Sequence, residues 1–199
     1  MRDRREFLRA SGALLLCSAF APARADGVQV ALASPPLPQT PEPAPTTISF
    51  PDESPRALTF ENLHTREKLH AEYWSNGDYV PDALAAINHH LRDFRTGDVH
   101  VIEPKLLDLL AMLHKTLASN KPFQVLSGYR SPATNAMLHE TTSGVLNNSL
   151  HMYGMAIDIF LKDCELQHVR DAARTLAVGG VGYYPKRFVH VDIGAVHWW

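Results

Sequence analysis

The sequence predicts an α+β domain in which an antiparallel sheet is flanked by helices, and three observations carry that expectation. The stretch "ALTFENLHTREKLHAEYWSNGDYV", residues 57–80, reads as strands joined by turns. Two proline-opened segments with apolar residues at helical spacing follow, and the chain closes on "VGYY" and "FVHVDIG", two further strand-like runs. Turn-linked strands pair antiparallel, and helices set among them pack against the sheet.

The first 25 of the 199 residues stand apart from this domain. Arg2, Arg4, Arg5 and Arg9 surround a twin arginine followed by Phe7 and Leu8, and "RREFLRA" resembles a bacterial twin-arginine export signal. The apolar run after it is too short for a membrane span, and Ala23-Arg24-Ala25 is a small-residue cleavage pattern. An anchor on Cys17 is the competing reading, but Leu16 before it is unlike the small residue that lipoprotein signals need. The expected product is an exported, periplasmic protein starting near Asp26, without a membrane span once the signal is removed.

Removal of that leader takes five arginines and two acids, so that 19 basic and 21 acidic residues become 14 and 19, a net charge near −5. A basic nucleic-acid surface is thereby excluded. Cys164 is left alone, which rules out an intrachain disulfide in a compartment that would permit one. Residues 26–55 form the next unit. Eight of the 14 prolines lie between Pro35 and Pro55, a composition that buries little and extends as a semi-rigid tether. The domain itself is expected over residues 56–199. It contains no internal repeat, and nothing in its pattern sets an oligomeric state.

Within the domain, Asn76-Gly77 is the strongest hairpin signal. Pro81-Asp82 opens a helix carrying Leu84, Ile87 and Leu91, and Pro104 opens one carrying Leu106, Leu110, Leu113 and Leu117. "PFQVLSGYR" is a strand running into a turn, after which Pro132 starts a short helix. "AIDIFL" is a buried strand with Ile157, Ile159 and Leu161 on one face and Asp158 on the other. Asp163 can cap a helix bearing Leu166, Val169, Ala173 and Leu176, which Gly179-Gly180 would end.

Chemistry concentrates in "SLHMYGMAIDIF", residues 149–160, where His151 and Asp158 are seven residues apart. A helix would separate them by about 10.5 Å along its axis, and a strand by about 23 Å on opposite faces. Sharing one metal ion therefore requires a bend, which Gly154 can supply because glycine tolerates positive φ. A capping aspartate beside an unrelated histidine fits the same spacing. In "RFVHVDIG", His190 and Asp192 share one strand face while Val189, Val191 and Ile193 take the other, a pattern that an outward-facing edge strand would also show.

"SGYRSPATN" (127–135), "SLHMYGMAID" (149–158) and "FVHVD" (188–192), in this order, resemble the LAS-type zinc metallopeptidases, which have the hedgehog/D-Ala-D-Ala peptidase fold. The likeness extends from "NLHTREKL" through "GGVGYYP" to the C-terminus and lies with the branch of murein endopeptidases. It implies that His151, Asp158 and His190 bind Zn2+, leaving a fourth position open for water, and that Arg130 holds a carbonyl or carboxylate of a peptidoglycan peptide. The implied activity is cleavage of murein cross-links. Trimming of stem peptides by a D,D- or L,D-carboxypeptidase, or a zinc-bearing murein-binding module without catalysis, are the alternatives.

One position departs from many family members, which carry a glutamate base three residues before the last histidine ligand; here it is Arg187. Asp192 is then either the general base or a carboxylate orienting a ligand histidine. His64, His70, His89, His90, His100, His114 and His168 are expected on solvated helix faces or turns, whereas His139 and His197 are close enough to the motifs to line a cleft. Tyr183, Tyr184, Trp198 and Trp199 are expected to be packing groups, with substrate contact by a tyrosine beside the last strand as the alternative.

Overall fold

The structure is a computed structural model that describes residues 48–50, 53–142 and 144–199. The expected export signal, Cys17 and most of the proline-rich tether lie outside the described residues. Among those described, no helix is long and apolar enough to cross a membrane.

β1 (Arg56–Asn62), β2 (Lys68–Ser75) and β3 (Asp78–Tyr79) are followed by α1 (Pro81–His90) and α2 (Pro104–Thr116). Asn76 and Gly77 both take positive φ, 54° and 86°, as a two-residue hairpin turn demands. Then come β4 (Phe123–Ser127), α3 (Pro132–Thr141), a 3-10 turn over Leu150–Tyr153, β5 (Ala156–Phe160), α4 (Leu166–Leu176), β6 (Val181–Tyr184) and β7 (Phe188–Asp192). The seven strands form one sheet in the order β3-β2-β1-β4-β5-β7-β6.

All neighbouring strands are antiparallel except β1 and β4, which pair parallel from Phe60–Phe123 to Asn62–Val125. The exception follows from connectivity, because α1 and α2 lie between these strands and make a crossover. The sheet is mixed but mostly antiparallel, and the domain has the predicted α+β class. Leu58 and Phe60 of β1, Phe123 and Val125 of β4, Ile157 and Ile159 of β5, and Val189 and Val191 of β7 are at most 1% exposed. They share a core with Leu106, Leu107, Leu110 and Leu113 of α2 and Val169 of α4.

Three local expectations change. Asp163 does not cap α4; its carboxylate accepts from the Ser119 hydroxyl, and the N-cap residue is Glu165, without a side-chain cap bond. α4 ends at Ala177 in the left-handed region (φ 49°), ahead of Gly179-Gly180. Those glycines answer a packing need: a Cβ on Gly179 would strike the Asp192 carbonyl, and one on Gly180 the Asp192 carboxylate. Finally, His90 is buried and His114 is half-buried, stacked on Phe123 at 3.9 Å, so neither lies on a solvated face. Each stands in the last turn of its helix against an aromatic ring of the sheet, His114 flat on Phe123 and His90 tilted 5.9 Å from Phe60.

Candidate metal centre

The site grows from one row of residues across the sheet. Ser127 of β4 faces Asp158 of β5, Asp158 faces His190 of β7, and His190 faces Gly182 of β6. Residues directly opposite share a face, here the face away from the apolar core. The register of β4 slips between Val125 and Ser127, and this bulge brings Ser127 round to the Asp158 side.

His151 reaches the row from the 3-10 turn. Gly154 ends that turn with φ 66°, and a Cβ there would run into the backbone carbonyl of Val101. The bend required by the His151–Asp158 spacing is thus made at the glycine that permits it. The His151 carbonyl accepts from the Arg130 amide at 3.1 Å, which ties the turn to the loop after β4.

Hydrogen bonding assigns the ring nitrogens. His151 Nδ1 lies 2.7 Å from the Gly128 carbonyl, which can only accept, so Nδ1 carries the proton and Nε2 points inward as a lone pair. His190 Nε2 lies 3.2 Å from Asp192 Oδ2, while its Nδ1 points inward. The inward atoms converge: His151 Nε2 is 3.2 Å from His190 Nδ1 and 3.3 Å from Asp158 Oδ1, and His190 Nδ1 is 2.9 Å from that same oxygen. Donors about 2.0–2.1 Å from a tetrahedral ion lie roughly 3.3–3.4 Å apart, so the spacing suits a small divalent cation. Among the described residues, His151, Asp158 and His190 are the group of side chains able to hold a metal ion.

The electrostatics fit such an ion. Burial lowers the His151 pKa and keeps the ring neutral, as ligation requires. Burial acts to raise Asp158, but the neighbouring His151 and His190 outweigh it and hold the carboxyl well below the usual range. Burial also acts to lower His190, yet hydrogen bonds to Asp158 and Asp192 push it up to about 9. A proton on His190 satisfies the inward acceptors, and an incoming cation would displace it.

Asp192 lies beyond the far edge of the His190 ring. Its Oδ1 accepts from the Gly180 and Gly194 amides, each at 2.8 Å, and its Oδ2 faces His190 Nε2. Arg130 is buried, with Nη2 3.8 Å from Asp158 Oδ2 and Nη1 donating to Asn135 Oδ1 at 3.3 Å. Asn135 Nδ2 in turn donates to the carbonyls of Leu146 and Asn147 at 3.0 Å each, so one amide holds both Arg130 and the loop before His151. Asp93 accepts from the Ser131 amide at 2.9 Å and fixes the same turn from the other side.

His151, Asp158, His190, Asp192 and Arg130 are thus brought together, while Arg187, at the position of the family's glutamate, is exposed beside Phe188. His139 bonds the Val145 carbonyl on the surface, and His197 stacks on Trp199 rather than facing the three candidate ligands. Asn135, inside the motif at 127–135, and Trp199, whose ring centroid is 5.3 Å from that of His190, are the two residues that the sequence reading does not assign to the site.

The family model described as "Peptidoglycan L,D-endopeptidase MepK" matches residues 51–199. The peptidoglycan L,D-endopeptidase MepK of Escherichia coli (strain K12) is 43% identical over 160 residues, covering 79% of this chain and 87% of the relative. The probable peptidoglycan L,D-endopeptidase MepK of Haemophilus influenzae is 40% identical over 147 residues, covering 73% and 79%. Among solved structures, the Serratia marcescens L-Ala D-Glu endopeptidase ChiX matches 56% of this chain and 86% of its own at 20% identity, with a TM-score of 0.37.

Proposed function

The chain belongs to the peptidoglycan L,D-endopeptidase MepK family, and from that membership we propose that it is a zinc-dependent endopeptidase that hydrolyses an L,D peptide bond in murein cross-links. The observation that carries the metal half of this reading is the convergence of three candidate ligand atoms, His151 Nε2, Asp158 Oδ1 and His190 Nδ1. His151, Asp158 and His190 would hold the ion, which when bound supplies an activated water and polarises the scissile carbonyl.

The remaining groups bind and orient. Arg130, charged and pre-aligned by Asn135 and Ser127, offers its guanidinium to a substrate carbonyl or carboxylate beside the ligands. We assign Asp192 the orienting role rather than that of general base, a reading supported by the engagement of its oxygens with two amides and with the outer nitrogen of His190. The twin-arginine signal supports action in the periplasm, where murein lies.

Digestion of purified murein by the zinc-loaded protein tests this reading. Cross-linked dimers should be split at an L,D bond, chelator should stop the reaction, and zinc should restore it. Release of only a terminal residue from monomeric stem peptides would make it a carboxypeptidase instead. Retention on murein without turnover would make it a binding module.

A further inference from the structure

The row Ser127–Asp158–His190–Gly182 ends at a residue with no side chain, and the space above it is filled from elsewhere. Residues 197–199 lie beside β6: the Val181 amide donates to the His197 carbonyl at 2.9 Å, and the Tyr183 amide to the Trp199 carbonyl at 3.0 Å. This backbone pairing swings the Trp199 indole over Gly182. A Cβ on Gly182 would come within 2.7 Å of the indole atoms Cε2 and Cζ2, and the three atoms nearest to it all belong to Trp199. The glycine is therefore a seat for that ring.

Three further contacts fix the indole. Its Nε1 donates to the Tyr184 hydroxyl at 3.1 Å, one face stacks on His197 at 4.6 Å, and its centroid is 5.3 Å from that of His190. Even so, Trp199 remains 48% exposed. Burial thus does not explain why a large apolar ring is seated and hydrogen-bonded beside the metal ligands. A positioned, half-open indole is a contact surface, offering wide area at little entropic cost.

The geometry points to Trp199 as a specificity-determining residue that forms the wall of the substrate cleft opposite Arg130. The two lie at opposite ends of the row, Arg130 on the β4 side and Trp199 on the β6 side, with the ligands between them. Strands about 4.8 Å apart put roughly 14 Å between β4 and β6, the span of a few extended peptide residues. A murein peptide crossing the sheet would meet the guanidinium with a polar group. On the far side of the scissile bond, the aliphatic side chain of a stem residue would lie on the indole. This rests on the peptidase reading above, and the test separates the two.

The full chain, loaded with zinc, is titrated against purified cross-linked muropeptide dimers carrying a fluorescent label, reading binding by label anisotropy before turnover and hydrolysis by product release. Trp199→Ala should raise KM and the dimer Kd about five- to tenfold with kcat and zinc content little changed, and Trp199→Phe should fall between. Gly182→Ala, which displaces the indole, should match Trp199→Ala, and the double variant should be no worse than either. An unchanged KM and Kd in Trp199→Ala overturns the inference, as does a loss of zinc or of kcat alone, which would make the ring a support for His190. If the wild-type chain binds dimers through Trp199 yet cuts nothing, the cleft wall stands and the peptidase reading falls. If it cuts them equally well without Trp199, the reverse holds, and if it neither binds nor cuts, both fall.

Discussion

His190 is gripped from both ends, and that grip makes a prediction that separates two roles for Asp192. The carboxylate can only accept, so it keeps a proton on His190 Nε2 and makes Nδ1 the nitrogen that gives up its proton to a cation. In Asp192→Asn the side-chain carbonyl would stay with the Gly180 and Gly194 amides, which turns the NH2 group toward Nε2. Two donors cannot face each other, so the ring shifts to the other tautomer and the proton moves to the ligand nitrogen. Zinc affinity should therefore fall about 10- to 100-fold, with hydrolysis recovering at high zinc. A variant that keeps its zinc while losing rate would restore Asp192 as the base. Arg130→Ala should behave oppositely, holding zinc while kcat/KM drops roughly 10- to 100-fold, the worth of a charge-assisted hydrogen bond. Equilibrium dialysis with zinc and steady-state kinetics check both variants.

At the scale of elements, the local bends decide which side chains meet. Gly154→Ala places a β-carbon against the Val101 carbonyl at a positive φ, so stability should fall by about 1–3 kcal/mol, with zinc affinity reduced because His151 moves. Urea unfolding with and without zinc measures both. The bend at Gly154 was legible because no regular element brings His151 to Asp158. The bulge after Val125 was not, since Leu126 and Ser127 fit either face of an isolated strand. The helix-end histidines carry a pH prediction. Burial lowers His90, with Glu67 opposing and Arg92 and His89 adding to the effect. Burial likewise lowers His114, opposed by the Lys121 backbone and Asp163. Both states are neutral above the ordinary value of 6.5; below it the unfolded chain takes up protons first. Stability of the chelated protein should decline as pH falls from about 6.5 through the lower folded values. His114→Phe keeps the stack on Phe123 without the titrating group, so its loss between pH 7.5 and 5 should be smaller. Equal losses would sink this account.

Over the whole molecule, the two faces of the sheet divide the labour, which explains what could be read in advance. Alternation in "AIDIF" and "FVHVD" separates an apolar face from a polar one, so the core and the ligand candidates were visible residue by residue. The parallel β1–β4 pairing and the placing of Trp199 over Gly182 depend on contacts between distant segments, and no local pattern encodes them. The same division predicts what metal removal does. Leu58, Phe60, Ile157, Val189 and the α2 leucines pack without any of the ligands, so chelation should leave a folded chain with its far-ultraviolet spectrum intact. Zinc bound only by the folded state should still stabilise it, by about 2.7 kcal/mol at 100 times Kd. For a domain of this size that is a rise in Tm of roughly 5–10 °C, absent in Asp158→Ala. Loss of secondary structure on chelation would instead assign the ion to folding, and an unmoved Tm would count against zinc binding in this row.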